Sequence, residues 1–247
     1  MTNYQLSDVL EYRARSHINI YDSPKCDRLA TQAAAGRYLQ IVHPPQPPLA
    51  QGGRDDIKPL MQGDTTAVMV RLCEDDYPGW LNIQDVDLLD VAQKLDRPHV
   101  LSETEIRAKL PTVINFAHQA MKQSNYYLWG GTVAPNYDCS GLMQAAFLST
   151  GIWLPRDAYQ QEAFTKGISI SDLEPGDLVF FGTPQKATHV GLYLGDNRYI
   201  HSSGKEQGRN GIGIDVLSKN GDKVSQIYYQ QLRGYGKVVA NYQPSGY

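Results

Sequence analysis

The sequence predicts two domains of different class, a small all-β domain followed by an α+β domain. A chain of 247 residues is long for one compact domain. Its first part alternates short β-rich runs with Gly, Pro and Asp clusters, whereas its later part joins a helical pattern to a pair of strands. We therefore expect a β domain over residues 1–84, a helical linker over 85–105 and an α+β domain over 106–247.

Three runs rich in β-branched and aromatic residues predict strands of a small barrel in the first domain. They are Ile18–Tyr21, Gly36–Val42 and Ala67–Leu72. Residues 43–53, dense in proline and glycine, predict a loop within that barrel.

A helix is predicted to open the second domain. Ser102 and Glu105 have the spacing of a capping box. Pro111 is expected in the first turn of the helix that follows, where a missing N–H is tolerated.

Cys139 is the candidate nucleophile because it precedes an amphipathic run. Apolar residues recur at helical spacing after it, and a glycine offers a stop: Leu142, Ala145, Ala146, Phe147 and Gly151. This places Cys139 at a helix N-terminus, where free N–H groups and the helix dipole favour thiolate over thiol. The alternative is an inert, buried cysteine.

Two downstream histidines lie on a predicted hairpin, with strands at Thr188–Leu194 and Arg198–Ser203. A three-residue loop would set His201 opposite Gly191, on the same face as His189. A two-residue loop would turn His201 to the other face, so a joint role requires an odd loop or a bulge.

These three residues together predict covalent catalysis. Cys139 would attack, His189 would act as general base and later acid, and His201 would orient the His189 ring. Each histidine alone would be interpreted as an ordinary strand residue. Zinc also uses thiolate and imidazole ligands, but the paired Cys-x-x-Cys or His-x-x-x-His spacing is missing from the sequence, and we expect no metal and no cofactor.

Several motifs in one order give the second domain a resemblance. They are Tyr127–Gly131, Asp138–Gly141, Pro175–Asp177, His189–Gly191 and His201, and together they resemble the NlpC/P60 cysteine peptidases over about residues 106–240. The resemblance implies a papain-like core that hydrolyses cell-wall peptides, typically between γ-D-glutamate and a diamino acid. It also implies that Cys139, His189 and His201 form the triad. Tyr127 would help to stabilise the oxyanion beside the Cys139 N–H; alternatively, Tyr127 only packs at a helix end.

The first domain is similar to bacterial SH3-like (SH3b) domains in the runs Asn19–Pro24 and Asp75–Leu81. The combination resembles cyanobacterial γ-D-glutamyl-L-diamino acid endopeptidases, in which the barrel restricts the cleft to short peptides with a free amino end. Tyr77 is the barrel's candidate substrate residue. It is otherwise a surface tyrosine in a turn, and the barrel is otherwise a wall anchor.

Three further residues are candidates for substrate binding. Asp138 and Ser140 could bind the substrate ammonium, and Asp138 also suits the helix N-cap. Arg156 could pair with the free α-carboxylate of γ-linked D-glutamate. Its alternative is an internal ion pair with Asp157.

Composition limits the partners. A net charge of −3 and a pI near 6.1 argue against nucleic acid. The sequence has no long apolar stretch and no leader pattern, and its three cysteines follow no disulfide spacing. We expect a cytoplasmic monomer, without membrane contact, that takes murein peptides.

The specific hypothesis is hydrolysis of L-alanyl-γ-D-glutamyl-diamino acid peptides at the γ-glutamyl amide, through an acyl-enzyme on Cys139. One alternative is a CHAP-type amidase or peptidase, in which the third group is usually an acid or amide, so His201 favours the NlpC/P60 interpretation. Another is a catalytically silent protein that binds the wall through its SH3-like domain.

Overall fold

A computed structural model describes residues 10–42, 66–93 and 98–245. The chain divides into two compact units, Met1–Arg97 with Pro244–Tyr247 and Pro98–Gln243. The loop predicted at residues 43–53 lies outside the described residues.

The described part of the first unit is an antiparallel sheet with a small apolar core. Its strands are β1 (Glu11–Ala14), β2 (Ile18–Tyr21), β3 (Leu29–Ala33), β4 (Tyr38–Ile41), β5 (Ala67–Leu72), β6 (Pro78–Asn82) and β7 (Leu89–Val91). They lie in the order β3-β2-β6-β5-β4-β1-β7. The strands predicted at Ile18–Tyr21 and Ala67–Leu72 are confirmed, and the run Gly36–Val42 contains β4. Alternate residues such as Ile18, Ile20 and Leu81 face the core.

The predicted helical linker over residues 85–105 is wrong in its first part. A 3₁₀ helix at Ile83–Leu88 leads directly into β7, which pairs with β1 and sets Leu89 opposite Ala14. Val86 and Leu89 are almost fully buried in the first core. Burial of these two side chains keeps the segment in the first unit.

A buried arginine holds the loop between β5 and β6. Arg37 Nε donates to Glu74 at 3.0 Å and Nη2 donates to Asp75 at 3.2 Å. Asp75 in turn accepts from the backbone N–H of Tyr77 at 3.1 Å. The backbone of Tyr77 is therefore fixed by a desolvated charge cluster within the first unit.

The second unit combines helices with a six-stranded sheet, which agrees with the predicted α+β class. The helices are α1 (Glu103–Lys122), α2 (Cys139–Leu148), α3 (Ala158–Phe164) and α4 (Lys223–Gln230). The sheet strands are β10 (Lys166–Ile168), β11 (Leu178–Gly182), β12 (Ala187–Gly195), β13 (Arg198–Ser203), β14 (Gly211–Val216) and β15 (Leu232–Lys237), in the order β10-β15-β11-β12-β13-β14. A separate short hairpin joins β8 (Thr132–Val133) to β9 (Asn136–Tyr137).

Helix α1 begins as predicted and passes through its proline. The capping box is present, with the Glu105 carboxylate accepting from the Ser102 N–H at 2.8 Å. Pro111 is exposed and lies inside the helix, so its predicted place in the first turn is wrong. The reason is that the capping box already starts the helix at Glu103, two turns earlier.

The core of the second unit brings helix α2 against the sheet. Its helix side includes Leu142, Met143 and Phe147, and its sheet side includes Val190 and Leu192 of β12. This packing seats the start of α2 beside the strand that carries His189. Within the part of the chain that the structure describes, none of the helices has both the length and the apolar character needed to cross a bilayer.

Candidate active site

Cys139 is the first residue of α2, as the sequence predicted. Asp138 is the N-cap and accepts from the N–H groups of Gly141 at 2.6 Å and Gly130 at 2.9 Å. A Cβ at Gly141 would lie 2.0 Å from the carbonyl oxygen of Gly131. Gly131 and Gly141 thus allow the loop before β8 to lie directly against the first turn of helix α2.

Burial of Cys139 opposes the thiolate form that a helix N-terminus was expected to favour. Burial, followed by the nearby charge of Asp138, raises the pKa of Cys139 to about 12. Backbone N–H groups of Val190 and Ser140 act in the opposite direction on this pKa but do not outweigh burial. A buried thiol of this kind needs a base to remove its proton as it attacks.

Arg156 is buried against Asp138 and Ser140. Its side chain is 1% exposed, and Nη1 and Nη2 donate to the two carboxylate oxygens of Asp138 at 3.2 and 2.6 Å. Nη1 also donates to the Ser140 hydroxyl at 3.0 Å. These contacts fill the guanidinium fork of Arg156 with Asp138 and Ser140, and the predicted pairing with a substrate carboxylate stays a prediction. The result is a rigid cap beside the nucleophile.

The hairpin of β12 and β13 keeps both histidines together by a bulge. The turn has two residues, Asp196 and Asn197, both with positive φ, so of the two predicted conditions, an odd loop or a bulge, the hairpin meets the second. The register then shifts between Tyr193 and Gly195, so that Leu192 pairs with Ile200. A Cβ at Gly191 would lie 3.3 Å from His201 Cβ, which agrees with the predicted pairing. The bulge therefore keeps His201 on the same face of the sheet as His189, whereas a two-residue loop alone would turn it to the other face.

The two imidazoles form one hydrogen-bonded line with a carboxylate. His189 Nε2 lies 2.7 Å from His201 Nδ1, and His201 Nε2 lies 2.6 Å from Asp215 Oδ2. Burial and the neighbouring His201 charge hold the pKa of His189 well below its usual value. His189 is therefore neutral near pH 7, with Nδ1 as the nitrogen outside the line.

Asp215, Arg209 and Tyr228 are site residues that the sequence analysis missed. Arg209 donates to both oxygens of Asp215, at 3.2 and 2.5 Å. The Tyr228 ring stacks on His189, with centroids 4.3 Å apart and planes at 26°. The available signal for Asp215 was its place in the alternating run Gly211–Val216, the strand that follows the histidine hairpin.

Tyr127 lies in the loop after α1. Burial, then the charges of Cys139 and Asp138, raises its pKa, so its hydroxyl stays protonated as a donor. An open groove of about 500 Å³ adjoins it, lined by Tyr126, Tyr127, Lys205, Glu206 and Asn210. The other predicted substrate residue, Tyr77, belongs to the first unit and is held there as described above.

Comparison with known proteins identifies the class of the second unit. Residues 124–232 match the NlpC/P60 family, so this part of the chain is an NlpC/P60 family domain. It contains Cys139, His189, His201 and Asp215.

Curated relatives cover this region only in part. The chain is similar to a gamma-D-glutamyl-L-lysine dipeptidyl-peptidase of Bacillus subtilis, with 38% identity over 95 residues, 37% of this chain and 30% of that protein. A bifunctional muramidase/DL-endopeptidase of the same organism is 33% identical over 130 residues, 51% of this chain and 40% of that protein. A murein DD-endopeptidase/LD-carboxypeptidase of Escherichia coli is 41% identical over 78 residues, 31% of this chain and 42% of that protein. The matched stretch thus spans less than half the length of each relative.

Among solved structures, an NlpC/P60 family protein from Bacillus cereus is similar to this chain with a TM-score of 0.46 and 21% identity. The match covers 94% of this chain and 64% of that chain.

Proposed function

We propose that this protein is a cysteine endopeptidase that hydrolyses the γ-D-glutamyl-diamino acid amide bond of murein peptides. Its preferred substrate is a short peptide with a free amino-terminal L-alanine. The single observation that carries the proposal is the buried hydrogen-bonded line of His189, His201 and Asp215. It lies next to Val190, whose backbone N–H contacts the Cys139 sulfur. A silent wall-binding protein has no use for this arrangement.

The first half of the reaction forms an acyl-enzyme. His189 Nδ1 takes the proton of the Cys139 thiol as the sulfur attacks the γ-carbonyl carbon of the substrate. The resulting oxyanion is stabilised by the Tyr127 hydroxyl and the Cys139 backbone N–H. The tetrahedral intermediate then collapses, the C–N bond breaks, and the leaving amine receives the proton from His189.

The second half returns the enzyme to its starting state. His189 removes a proton from water, which attacks the thioester carbon and breaks the C–S bond. The γ-glutamyl product leaves as an acid, and the proton on His189 returns to the Cys139 sulfur. His201 keeps the His189 ring in one orientation through both halves.

Recognition of the free amino end is proposed for Asp138 and Ser140. Both flank the nucleophile and are held by Arg156, which gives them a fixed geometry. The substrate-binding role of Tyr77 stays a prediction from the sequence. The predicted monomeric state and cytoplasmic location stay predictions from the sequence.

The curated relatives support the substrate class. One is named for a γ-D-glutamyl-L-lysine bond and another for DL-endopeptidase activity. The γ-D-glutamyl bond of the proposal follows the first of these names, and the test includes both lysine and diaminopimelate as the diamino acid.

The test is digestion of defined peptides followed by mass analysis of the products. L-Ala-γ-D-Glu-diaminopimelate and its lysine counterpart are expected to yield L-Ala-D-Glu and the free diamino acid. An N-acetylated tripeptide is the matched control and should be cleaved at least about 10-fold more slowly if the amino group is recognised. Cleavage at another bond would overturn the assigned specificity, and no cleavage of any murein peptide would favour the silent binding protein.

A further inference from the structure

The hydrogen-bonded line does not end at the second histidine. His201 and Asp215 lie on neighbouring strands, with His201 paired to Gly213 in the register of β13 and β14. Asp215 lies two residues beyond Gly213, and its side chain is 2% exposed. A carboxylate this deeply buried requires hydrogen-bond partners, and His201 supplies one of them at 2.6 Å.

Arg209 fixes both oxygens of this carboxylate. Its Nε donates to Oδ2 and its Nη2 donates to Oδ1, so the Asp215 carboxylate cannot rotate without breaking an ion pair. The guanidinium lies across Gly213, where a Cβ would come within 2.2 Å of Arg209 Nη1. Arg209, Gly213 and Asp215 therefore act as one unit directed at His201.

We propose that Asp215, held by Arg209, is a positioning residue that determines which nitrogen of each histidine carries the proton. The proposal deepens the proposed function and rests on it for the catalytic consequence, but its structural content requires no particular substrate.

The position of each proton in the line follows from which atoms can only accept a hydrogen bond. A carboxylate accepts only, so His201 Nε2 must carry the proton in the bond to Asp215. In neutral His201 the other nitrogen, Nδ1, is then an acceptor, and His189 Nε2 must donate to it. Neutral His189 is thereby left with an unprotonated Nδ1. That lone pair is the one the reaction needs for the Cys139 proton.

The charge balance of the unit supports the neutral resting state. Burial acts to raise the pKa of Asp215, but the His201 hydrogen bond and the Arg209 charge hold that pKa below its ordinary value. Burial lowers the pKa of His201 against the attraction of Asp215, and the Arg209 charge adds to this lowering. The charge of Arg209 thus keeps the Asp215 carboxylate ionised and also disfavours the protonated, charged form of His201.

The first test measures the proton positions directly in the wild-type protein. Long-range ¹H–¹⁵N spectra at pH 7.5 distinguish the two neutral tautomers of histidine, and the chain has 6 histidines to assign. His189→Gln and His201→Gln variants identify the two resonances. Both histidines are expected as Nε2–H tautomers. Either one found as Nδ1–H would overturn the proposal, whatever peptide the enzyme cleaves.

The second test replaces the carboxylate of Asp215 by an amide. In Asp215→Asn the amide oxygen can take only one of the two carboxylate positions: Oδ1, which faces Arg209 Nη2 at 2.5 Å, or Oδ2, which faces His201 and Arg209 Nε. The short contact with Arg209 Nη2 holds the oxygen at the Oδ1 position, so the NH₂ group faces His201 and the tautomers reverse. In a serine peptidase the comparable change lowers kcat about 10⁴-fold, and with one histidine interposed we expect a loss of at least about 100-fold in kcat with little change in KM.

Two further variants separate positioning from general structural damage. Asp215→Asn combined with Arg209→Met removes the competing donors, so the amide oxygen is free to face His201 and kcat should recover at least about 10-fold over the single variant. Asp177→Asn is the matched control, since Asp177 is 1% exposed but accepts from the Glu174 backbone N–H. It should keep the wild-type tautomers and kcat.

The outcomes are distinct from those that test the peptide specificity. Full kcat in Asp215→Asn, or no recovery in the folded double variant, would overturn the positioning role. If the single variant does not fold, the wild-type spectra still decide. A wild-type protein with the expected tautomers but no murein peptide cleavage would contradict the proposed function alone.

Discussion

The helix that carries Cys139 and the sheet that carries the histidines are constructed in different ways. Around Cys139 the contacts are mostly between residues close in sequence: Asp138 caps the helix and bonds to Gly130 and Gly141. Around His201 the contacts join residues on three strands and a loop, from His189 to Asp215. Local capping thus positions Cys139, the proposed nucleophile, whereas strand register positions His189, its proposed base.

The difference also appears in the electrostatics. Both regions have an arginine–aspartate pair with a buried carboxylate, Arg156 with Asp138 and Arg209 with Asp215. The first pair fixes the start of helix α2 through Asp138, whereas the second is bonded to His201 and extends the proton line. Similar pairs therefore serve rigidity on one side and proton placement on the other.

Loss of the nucleophile should give the largest effect. Cys139→Ala is expected to lower turnover of the tripeptide by at least about 10⁴-fold, because no other group supplies the attacking sulfur. Cys73→Ala is the control, since Cys73 is also a buried cysteine but lies in the first unit. Its kcat should stay within about twofold of wild type. Equal losses in both variants would contradict the assignment of Cys139.

Substitution of the two histidines should lower kcat by different amounts. His189→Gln removes the base and is expected to lower kcat by about 10³-fold or more. His201→Gln leaves an amide oxygen that still accepts from His189, so the loss should be at least about 10-fold smaller. Steady-state kinetics of both variants check this order. A larger loss in His201→Gln would mean that the roles of the two rings are exchanged.

Removal of Arg156 should affect stability more than the chemistry of the base. Arg156→Met leaves the Asp138 carboxylate buried and unpaired, which is expected to destabilise the second unit by about 3–5 kcal/mol in denaturant unfolding. Arg198→Met is the control, because the Arg198–Asp196 pair is exposed and should contribute less than about 1 kcal/mol. Similar midpoints for the two variants would contradict a structural role for the buried pair.

A smaller effect is expected at the glycine beneath Arg209. A Cβ in Gly213→Ala displaces the guanidinium, a flexible group, so kcat should fall by up to about 10-fold with the fold preserved. Gly167→Ala places its Cβ where no atom lies within 4 Å and should leave kcat unchanged. An unaffected Gly213→Ala enzyme would show that Arg209 tolerates displacement from this position.

The smallest effect is expected on mild acidification. Burial and the His201 charge hold the pKa of His189 well below its usual 6.5. The base is active when neutral, so kcat/KM should be retained as the pH falls through 6.5 and be lost only below it. Between pH 7.5 and 6.5 the change should be less than about twofold. Half-maximal kcat/KM at or above pH 6.5 would contradict a neutral buried His189.

Sequence patterns were sufficient for features that depend on local spacing. The capping box at Ser102, the helix that starts at Cys139 and the strands Ile18–Tyr21 and Ala67–Leu72 were all predicted. In each case the signal lies within about one turn of helix or one strand. The same local spacing misplaced Pro111, because it does not say how far a helix runs.

Features that depend on packing or register were not accessible in this way. Burial of Cys139 against a distant strand raises the pKa of its thiol and opposes the expected effect of the helix N-terminus, and the paired state of Arg156 depends on the fold around the cap. Asp215 lies 14 residues after His201, and only the pairing of β13 with β14 brings the two together. The histidine hairpin was an intermediate case, since the need for an odd loop or a bulge was predicted, but the sequence did not say which of the two the hairpin has.

The central claim is that Cys139 attacks with His189 as its base. The most direct measurement uses L-Ala-D-Glu esterified at its γ-carboxyl group, a substrate for which acylation should be faster than deacylation. The reaction is quenched rapidly, and the protein is analysed by mass spectrometry. The account predicts an added L-Ala-D-Glu acyl group on the peptide that contains Cys139, formed at least about 100-fold more slowly in His189→Gln. An adduct on another residue, or one formed at the same rate without His189, would contradict it.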